Sequence, residues 1–342
     1  MNIEFKKKLP SSSQIINEIP LPTELKSTKK IKDKELADII KGESSKFLLI
    51  IGPCSADNED SVCEYTNRLA YLQEKFKDKI MIVPRVYTNK PRSTGEGYMG
   101  MVHQPDPTKS PDLEEGIKAI RKLHIRVLKE SNLVTADEML YPENYTYLSD
   151  VLSYVAIGAR SVEDQQHRLT VSGMSIPAGM KNPTSGDISV MLNSITAAQI
   201  EHTFVYNGYE VDTKGNYLAH AVLRGAVDFN GKSIPNYHYE NLLDVYDNYI
   251  KRGLKYPTVI VDTNHSNSNK KYFEQPRIAK EILFNRKYNP NLKKLIKGLM
   301  IESYLVEGRQ EIEENIYGKS ITDPCLGWED TEDLIKYIYE NL

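Results

Sequence analysis

Eight short apolar runs recur along this 342-residue chain, with longer helical stretches between them, and this alternation most limits how the chain folds. The runs are Phe47–Ile51, Ile80–Val83, Leu133–Thr135, Val155–Ile157, Ile176–Met180, Thr203–Tyr206, Thr258–Val261 and Gly298–Ile301. Continuous apolar character marks strands buried on both faces, as in a parallel sheet covered by helices. Between the runs, Val62, Tyr65, Leu69, Leu72 and Phe76 fall on one helical face. Leu113, Ile117, Ile120, Leu123 and Val127 fall on another, in a helix expected to open with Ser110 as N-cap and Pro111 at the first helical position. A further pattern ends at Gly253. Eight strands alternating with helices predict an α/β fold, a TIM (β/α)8 barrel, with a doubly wound open sheet as the runner-up.

Residues 1–45 read as an N-terminal extension carrying an arm and a helix, expected to serve assembly and regulation: they are polar and punctuated by Pro10, Pro20 and Pro22, and Gly42 caps a pattern through Leu36, Ile39 and Ile40. Residues 46–342 form the barrel, and the long polar segment 206–235 is expected to be a β-hairpin inserted after the sixth strand. The net charge of −3 argues against a nucleic-acid partner. No apolar stretch is long enough for a membrane span, and the N-terminus lacks the apolar core of a signal peptide. Three cysteines, Cys54, Cys63 and Cys325, are too few and odd for a disulfide framework and fit a reducing compartment, so a cytoplasmic location is expected. Gly95–Gly100 matches the G-x-G-x-x-G string of dinucleotide sites, but it comes after a polar segment and precedes Pro105 and Pro107, so it reads as a loop.

Active sites of such barrels lie at the C-terminal ends of the strands. The residues just past each run are therefore informative. In order come Cys54; Arg85, then Lys90, Arg92 and Ser93; Asp137 and Glu138; Arg160; Lys181; Arg224, to which the expected hairpin returns; Asp262 and His265; Glu302; and soon after it Asp323. A basic ring implies polyanionic substrates, because arginine forks match phosphate and carboxylate oxygens in pairs. Cys, His and carboxylates at the same rim suggest a divalent transition metal. Cys325 lies two residues past Asp323, so an extended segment would aim it at the same pocket; packing beside Leu326 as a small core residue is the alternative.

These segments resemble the class I DAHP (3-deoxy-D-arabino-heptulosonate 7-phosphate) synthases, the metal-dependent, feedback-regulated type. The resemblance rests on Ile51-Gly52-Pro53-Cys54-Ser55, Arg85-Val86-Tyr87 with Lys90-Pro91-Arg92, Ala156 to Arg160, Lys181-Asn182, Leu223-Arg224-Gly225, His265-Ser266-Asn267-Ser268, Glu302-Ser303 with Leu305 to Gly308, Tyr317 to Asp323, and Gly327 to Asp330. It implies a TIM barrel that condenses phosphoenolpyruvate with erythrose 4-phosphate and releases phosphate, the first step of the shikimate pathway. It implies one divalent transition metal (Mn, Fe, Co or Zn) on Cys54, His265, Glu302 and Asp323. Phosphoenolpyruvate would be held by Arg85, Arg160, Lys181 and Arg224, and erythrose 4-phosphate by Lys90, Arg92 and Ser93. Lys90, Glu138 and His265 are the catalytic candidates. An aromatic amino-acid inhibitor and a homo-oligomer, dimer or tetramer, are implied as well.

Ser93 stands where the family usually has Thr, Tyr141 where it tends to carry Asp, and Pro183 where Gly is common. The last two bear on regulation rather than chemistry. Two other readings are a 3-deoxy-manno-octulosonate 8-phosphate synthase-like enzyme, which normally lacks the extension and the Lys-Pro-Arg-[Ser/Thr] segment, and a catalytically retired barrel that senses aromatic amino acids.

Overall fold

A computed structural model describes residues 2–342. Eight parallel strands form one sheet: β1 (Phe47–Gly52), β2 (Ile80–Pro84), β3 (Thr135–Glu138), β4 (Leu152–Ile157), β5 (Ala178–Lys181), β6 (Ala219–Leu223), β7 (Val259–Asp262) and β8 (Ile296–Glu302). Their order is β2-β1-β8-β7-β6-β5-β4-β3, the sequential order of a barrel cut between β2 and β3. At that cut the strands meet through a single bridge, Arg85 to Ala136, where the Val86 amide donates to the Ala136 carbonyl. Every residue of β1 to β7 is buried, which is why β1, β2, β4 and β7 read as apolar runs rather than alternating ones.

Two helices precede the barrel, α1 (Ser12–Glu18) and α2 (Thr23–Lys41), where the sequence suggested one. Gly42 ends α2 in the left-handed conformation, φ 82°. Leu36, Ile39 and Ile40 join the core of the barrel, and the Thr258 hydroxyl donates to the Ile40 carbonyl just before β7. The extension therefore packs under the N-terminal ends of the strands. Helix α3 (Glu59–Phe76) buries the five residues of the expected face. Helix α4 (Leu113–Ser131) starts two residues later than expected: Asp112, not Ser110, caps it by accepting from the Glu114 and Glu115 amides.

The sixth apolar run is not a barrel strand. Thr203–Tyr206 pairs antiparallel with Tyr209–Asp212 as a surface hairpin in which no residue is buried. Asn207 (φ 51°) and Gly208 (φ 80°) turn it, the left-handed pair that a two-residue hairpin favours. The barrel strand is instead the fully buried Ala219–Leu223, which pairs with β5 and β7. The hairpin thus precedes the sixth strand, and within 206–235 a second, smaller ribbon, Ala226–Val227 with Ser233–Ile234, comes after it. Gly95–Gly100 is a loop; its Gly100 has φ 101°, and a Cβ there would stand 2.4 Å from the Thr88 carbonyl oxygen.

Candidate active site

The C-terminal ends of the strands surround a cavity of about 580 Å³ lined by Cys54, Arg85, Lys90, Arg92, Ser93, Glu138, Arg160, Lys181, Arg224, His265, Glu302 and Asp323. Each candidate metal, substrate and catalytic residue picked out at the rim from the sequence therefore faces one space. Asp262 lies below it and is completely buried.

One end of the cavity gathers metal-type donors. Cys54 Sγ, a Glu302 oxygen and an Asp323 oxygen all lie within 4.8 Å of one another. His265 Nε2 stands 3.7 Å from Glu302 Oε1, beside this trio rather than within it. A thiol, two carboxylates and a neighbouring imidazole suit a borderline transition metal better than Mg or Ca. The Lys90 ammonium lies 2.8 Å from Cys54 Sγ and 2.8 Å from Asp323 Oδ2, neutralising the donors from the cavity side. Lys270 holds the other carboxylate oxygen, Oδ1, at 3.0 Å. Burial opposes ionisation of Asp323, but Lys90, then His265 and Lys270, outweigh it and keep the carboxyl far below the usual range. Burial, followed by the Glu302 charge, pushes the Cys54 thiol up to about 12.

The donors are held from behind. Asn264 Nδ2 donates to Glu302 Oε2 at 2.5 Å, and the Gln275 side chain bonds the Glu302 backbone on both its N–H and C=O. His265 Nδ1 contacts Asp262 Oδ2 at 2.8 Å. His265, Asn269 and Lys270 all have positive φ (49°, 54° and 58°), so the loop after β7 stores backbone strain where it meets the donors.

The basic groups lie alongside. Arg85 is 1% exposed; its Nη2 meets Glu302 Oε1 at 3.0 Å, but its Nε and Nη1 have no hydrogen-bond partner among the described residues. Buried donors are normally paired, so two free ones on a guanidinium mark a place for an anion. Lys181 lies 3.4 Å from Glu138 Oε2 and 4.0 Å from Asp262 Oδ2. Burial alone would raise the Glu138 carboxyl, but Lys181, then Lys90 and Arg85, outweigh it and hold it below its ordinary range. Gly158 allows this placement, since a Cβ there would meet Glu138 Oε1 at 2.5 Å. Arg224 is largely buried and donates to Ser266 Oγ at 3.3 Å. Arg160, at the exposed mouth, donates to Ser93 Oγ at 2.9 Å and so brings the ends of β2 and β4 together.

Sequence reasoning left Lys270 and Asn264 out of the site. Both lie past β7 in an irregular loop, where no periodicity reports which way a side chain points. Cys325 is completely buried, and its thiol donates to the Asp323 carbonyl at 3.4 Å.

A parallel barrel whose C-terminal rim sets buried cations around a thiol–carboxylate trio has the make-up of an enzyme for anionic substrates, with a group of donors that could hold a metal. The DAHP synthetase I family model matches residues 22–336, and the chain belongs to that family. The chain is 36% identical to the Phe-sensitive phospho-2-dehydro-3-deoxyheptonate aldolase of Escherichia coli K12, across 98% of this chain and 94% of that protein. It is 34% identical to the phenylalanine-inhibited enzyme of Saccharomyces cerevisiae, across 90% and 84%. The solved structure of the aldolase from Francisella tularensis superposes with a TM-score of 0.92 at 32% identity, covering 99% of this chain and 98% of that one.

Proposed function

We propose that Cys54, His265, Glu302 and Asp323 hold a divalent transition metal (Mn, Fe, Co or Zn), while the surrounding cations bind the two substrates of the family reaction. That reaction is the condensation of phosphoenolpyruvate with erythrose 4-phosphate, releasing phosphate. The observation that carries the residue assignments is Arg85, buried with two unpartnered donors beside the thiol–carboxylate trio.

Arg85, Arg160, Lys181 and Arg224 receive phosphoenolpyruvate, whose phosphate and carboxylate match their forks. Lys90, Arg92 and Ser93 receive erythrose 4-phosphate. Bound at the four donors, the metal supplies a Lewis acid for the aldehyde. The methylene carbon of phosphoenolpyruvate forms the new bond to the aldehyde carbon, whose oxygen takes a proton from Lys90. Water adds at the carbon bearing phosphate, with Glu138 accepting its proton through a bridging water, and the C–O bond to phosphate breaks. Lys181 and Lys90 keep Glu138 ionised for this role. The cation ring also offsets the repulsion between two anionic substrates held in contact.

Several relatives are Phe-sensitive, Tyr-sensitive or phenylalanine-inhibited by name. An aromatic amino acid as inhibitor of this chain fits a second cavity of about 620 Å³, lined by Ser12 and Ile16 of α1, Phe204 and Tyr206 of the hairpin, and the Asp212 carboxylate. Exposed Ile3 and Phe5 on the arm and Val205 and Tyr209 on the hairpin support a homo-oligomer, dimer or tetramer. No helix among the described residues is long and apolar enough to cross a membrane, in keeping with a cytoplasmic enzyme.

The metal assignment is tested by exhaustive chelation and then titration with Mn or Co. Activity is expected to vanish and return with one metal per chain, and His265→Ala to lose both metal and turnover. Full activity in metal-free protein would contradict it.

A further inference from the structure

The one interruption of the barrel sheet lies between the strands that deliver Lys90 and Glu138. Elsewhere parallel ladders join neighbours; β1 and β2 share five registered pairs, and β3 and β4 share four. Between β2 and β3 only the Arg85–Ala136 bridge remains. Beyond it a side chain replaces the ladder. The Thr88 amide donates to Asp137 Oδ1 at 2.9 Å, and the Glu138 amide donates to the same oxygen at 2.7 Å. The Thr88 hydroxyl donates to Oδ2 at 2.5 Å. His124 of α4 anchors the carboxylate from outside: its Nε2 lies 3.3 Å from Oδ2, and its Nδ1 lies 2.8 Å from Thr135 Oγ1. Thr88, His124, Thr135 and Asp137 are all at most 2% exposed.

A buried carboxylate is costly unless fully hydrogen-bonded, and this one lies outside the substrate cavity, so its bonds serve the backbone. One oxygen ties the amide two residues before Lys90 to the amide of Glu138. We propose that Asp137 is a positioning residue: it clamps the open seam of the barrel and thereby sets the Lys90–Ser93 segment against Glu138. The proposal rests on the assignment of Lys90 and Glu138 above. It separates the two substrates. Arg160, Lys181 and Arg224 come from β4 to β6, where the ladders are intact. Arg85 is fixed independently, through its amide to the Ile51 carbonyl and its side chain to Glu302. The erythrose 4-phosphate segment is the one that Asp137 holds directly, through the Thr88 amide and hydroxyl, with a second tie from Arg160 to Ser93 Oγ.

The test is steady-state kinetics on the metal-loaded enzyme with Asp137→Ala, Asp137→Asn, Thr88→Val and Lys90→Ala. Displacements of about an ångström cost up to 10²-fold in rate, so Asp137→Ala is expected to lower kcat and raise the KM for erythrose 4-phosphate about tenfold or more. The KM for phosphoenolpyruvate should stay within about threefold. Asp137→Asn keeps an oxygen for both amides and is expected to restore most of the activity. Thr88→Val, which removes one bond and leaves the amide contact, should shift the same KM in the same direction by a smaller factor. It stands in for Asp137→Ala if that variant does not fold. A folded Asp137→Ala with wild-type constants, or an equal rise in both KM values, would overturn the proposal, as would an unchanged erythrose 4-phosphate KM in Thr88→Val. Lys90→Ala retaining full activity would instead overturn the role of Lys90, and the Asp137 proposal with it.

Discussion

At the scale of single residues, charge and burial decide what each rim group does. Arg224 is less than a tenth exposed, and burial lowers its hold on its proton, yet its one side-chain bond among the described residues is to Ser266 Oγ at 3.3 Å. No salt bridge to Arg224 forms among the described residues, and phosphoenolpyruvate, in the role proposed for it, would supply the counter-anion. A charge-assisted bond is worth about 1.5–3 kcal/mol, so Arg224→Ala is expected to raise the KM for phosphoenolpyruvate at least tenfold, while metal stoichiometry stays the same. A wild-type KM in the folded variant would contradict the role. The residues of the cavity were legible because most of them come just after an apolar run, and a strand's C-terminal end fixes which rim its successor occupies. Asp137 was visible by position, but its work was not. Whether a carboxylate at the end of a strand points into the cavity or back at the seam depends on pairing between β2 and β3, and a sequence does not display pairing.

At the scale of elements, seven of the eight expected runs overlap barrel strands, the third only at Thr135, and the sixth shows where reading by apolar character alone fails. Thr203–Tyr206 and Ala219–Leu223 are both apolar and of strand length. Burial separates them, and the Asn207-Gly208 turn was the local signal that the first belonged to a hairpin. The extension tells a related story. It carries none of the rim residues, which suggested regulation and assembly, and it also has a structural part: Leu36, Ile39 and Ile40 are wholly buried in the core. Exposing three such side chains costs about 1.5–3 kcal/mol each. Removing residues 1–45 is therefore expected to lower the Tm sharply and cost turnover through unfolding. Removing only residues 1–10 should leave Tm and kcat near wild type and change feedback inhibition or oligomer size. Thermal melts, inhibition curves with Phe, Tyr and Trp, and sedimentation on both truncations check this. An unchanged oligomer and unchanged inhibition in the short truncation would contradict an assembly or regulatory role for the arm.

At the scale of the molecule, the barrel brings residues from its strand ends, spread from Cys54 to Asp323, into one cavity of about 580 Å³. The alternation of strands and helices pointed to that rim, because it sends every strand's successor there, and the resemblance of the strand-end segments to a known family gave the residues their expected roles. The central claim is that this cavity joins phosphoenolpyruvate to a four-carbon phosphosugar aldehyde. The direct measurement is phosphate release from phosphoenolpyruvate by the Mn-loaded protein, with erythrose 4-phosphate or arabinose 5-phosphate as the second substrate. Turnover is expected with erythrose 4-phosphate, and a kcat/KM for arabinose 5-phosphate lower by about a hundredfold, the scale on which a fitted site separates close analogues. Equal or faster turnover with arabinose 5-phosphate, or none with either sugar in protein that binds one metal per chain, would contradict the claim.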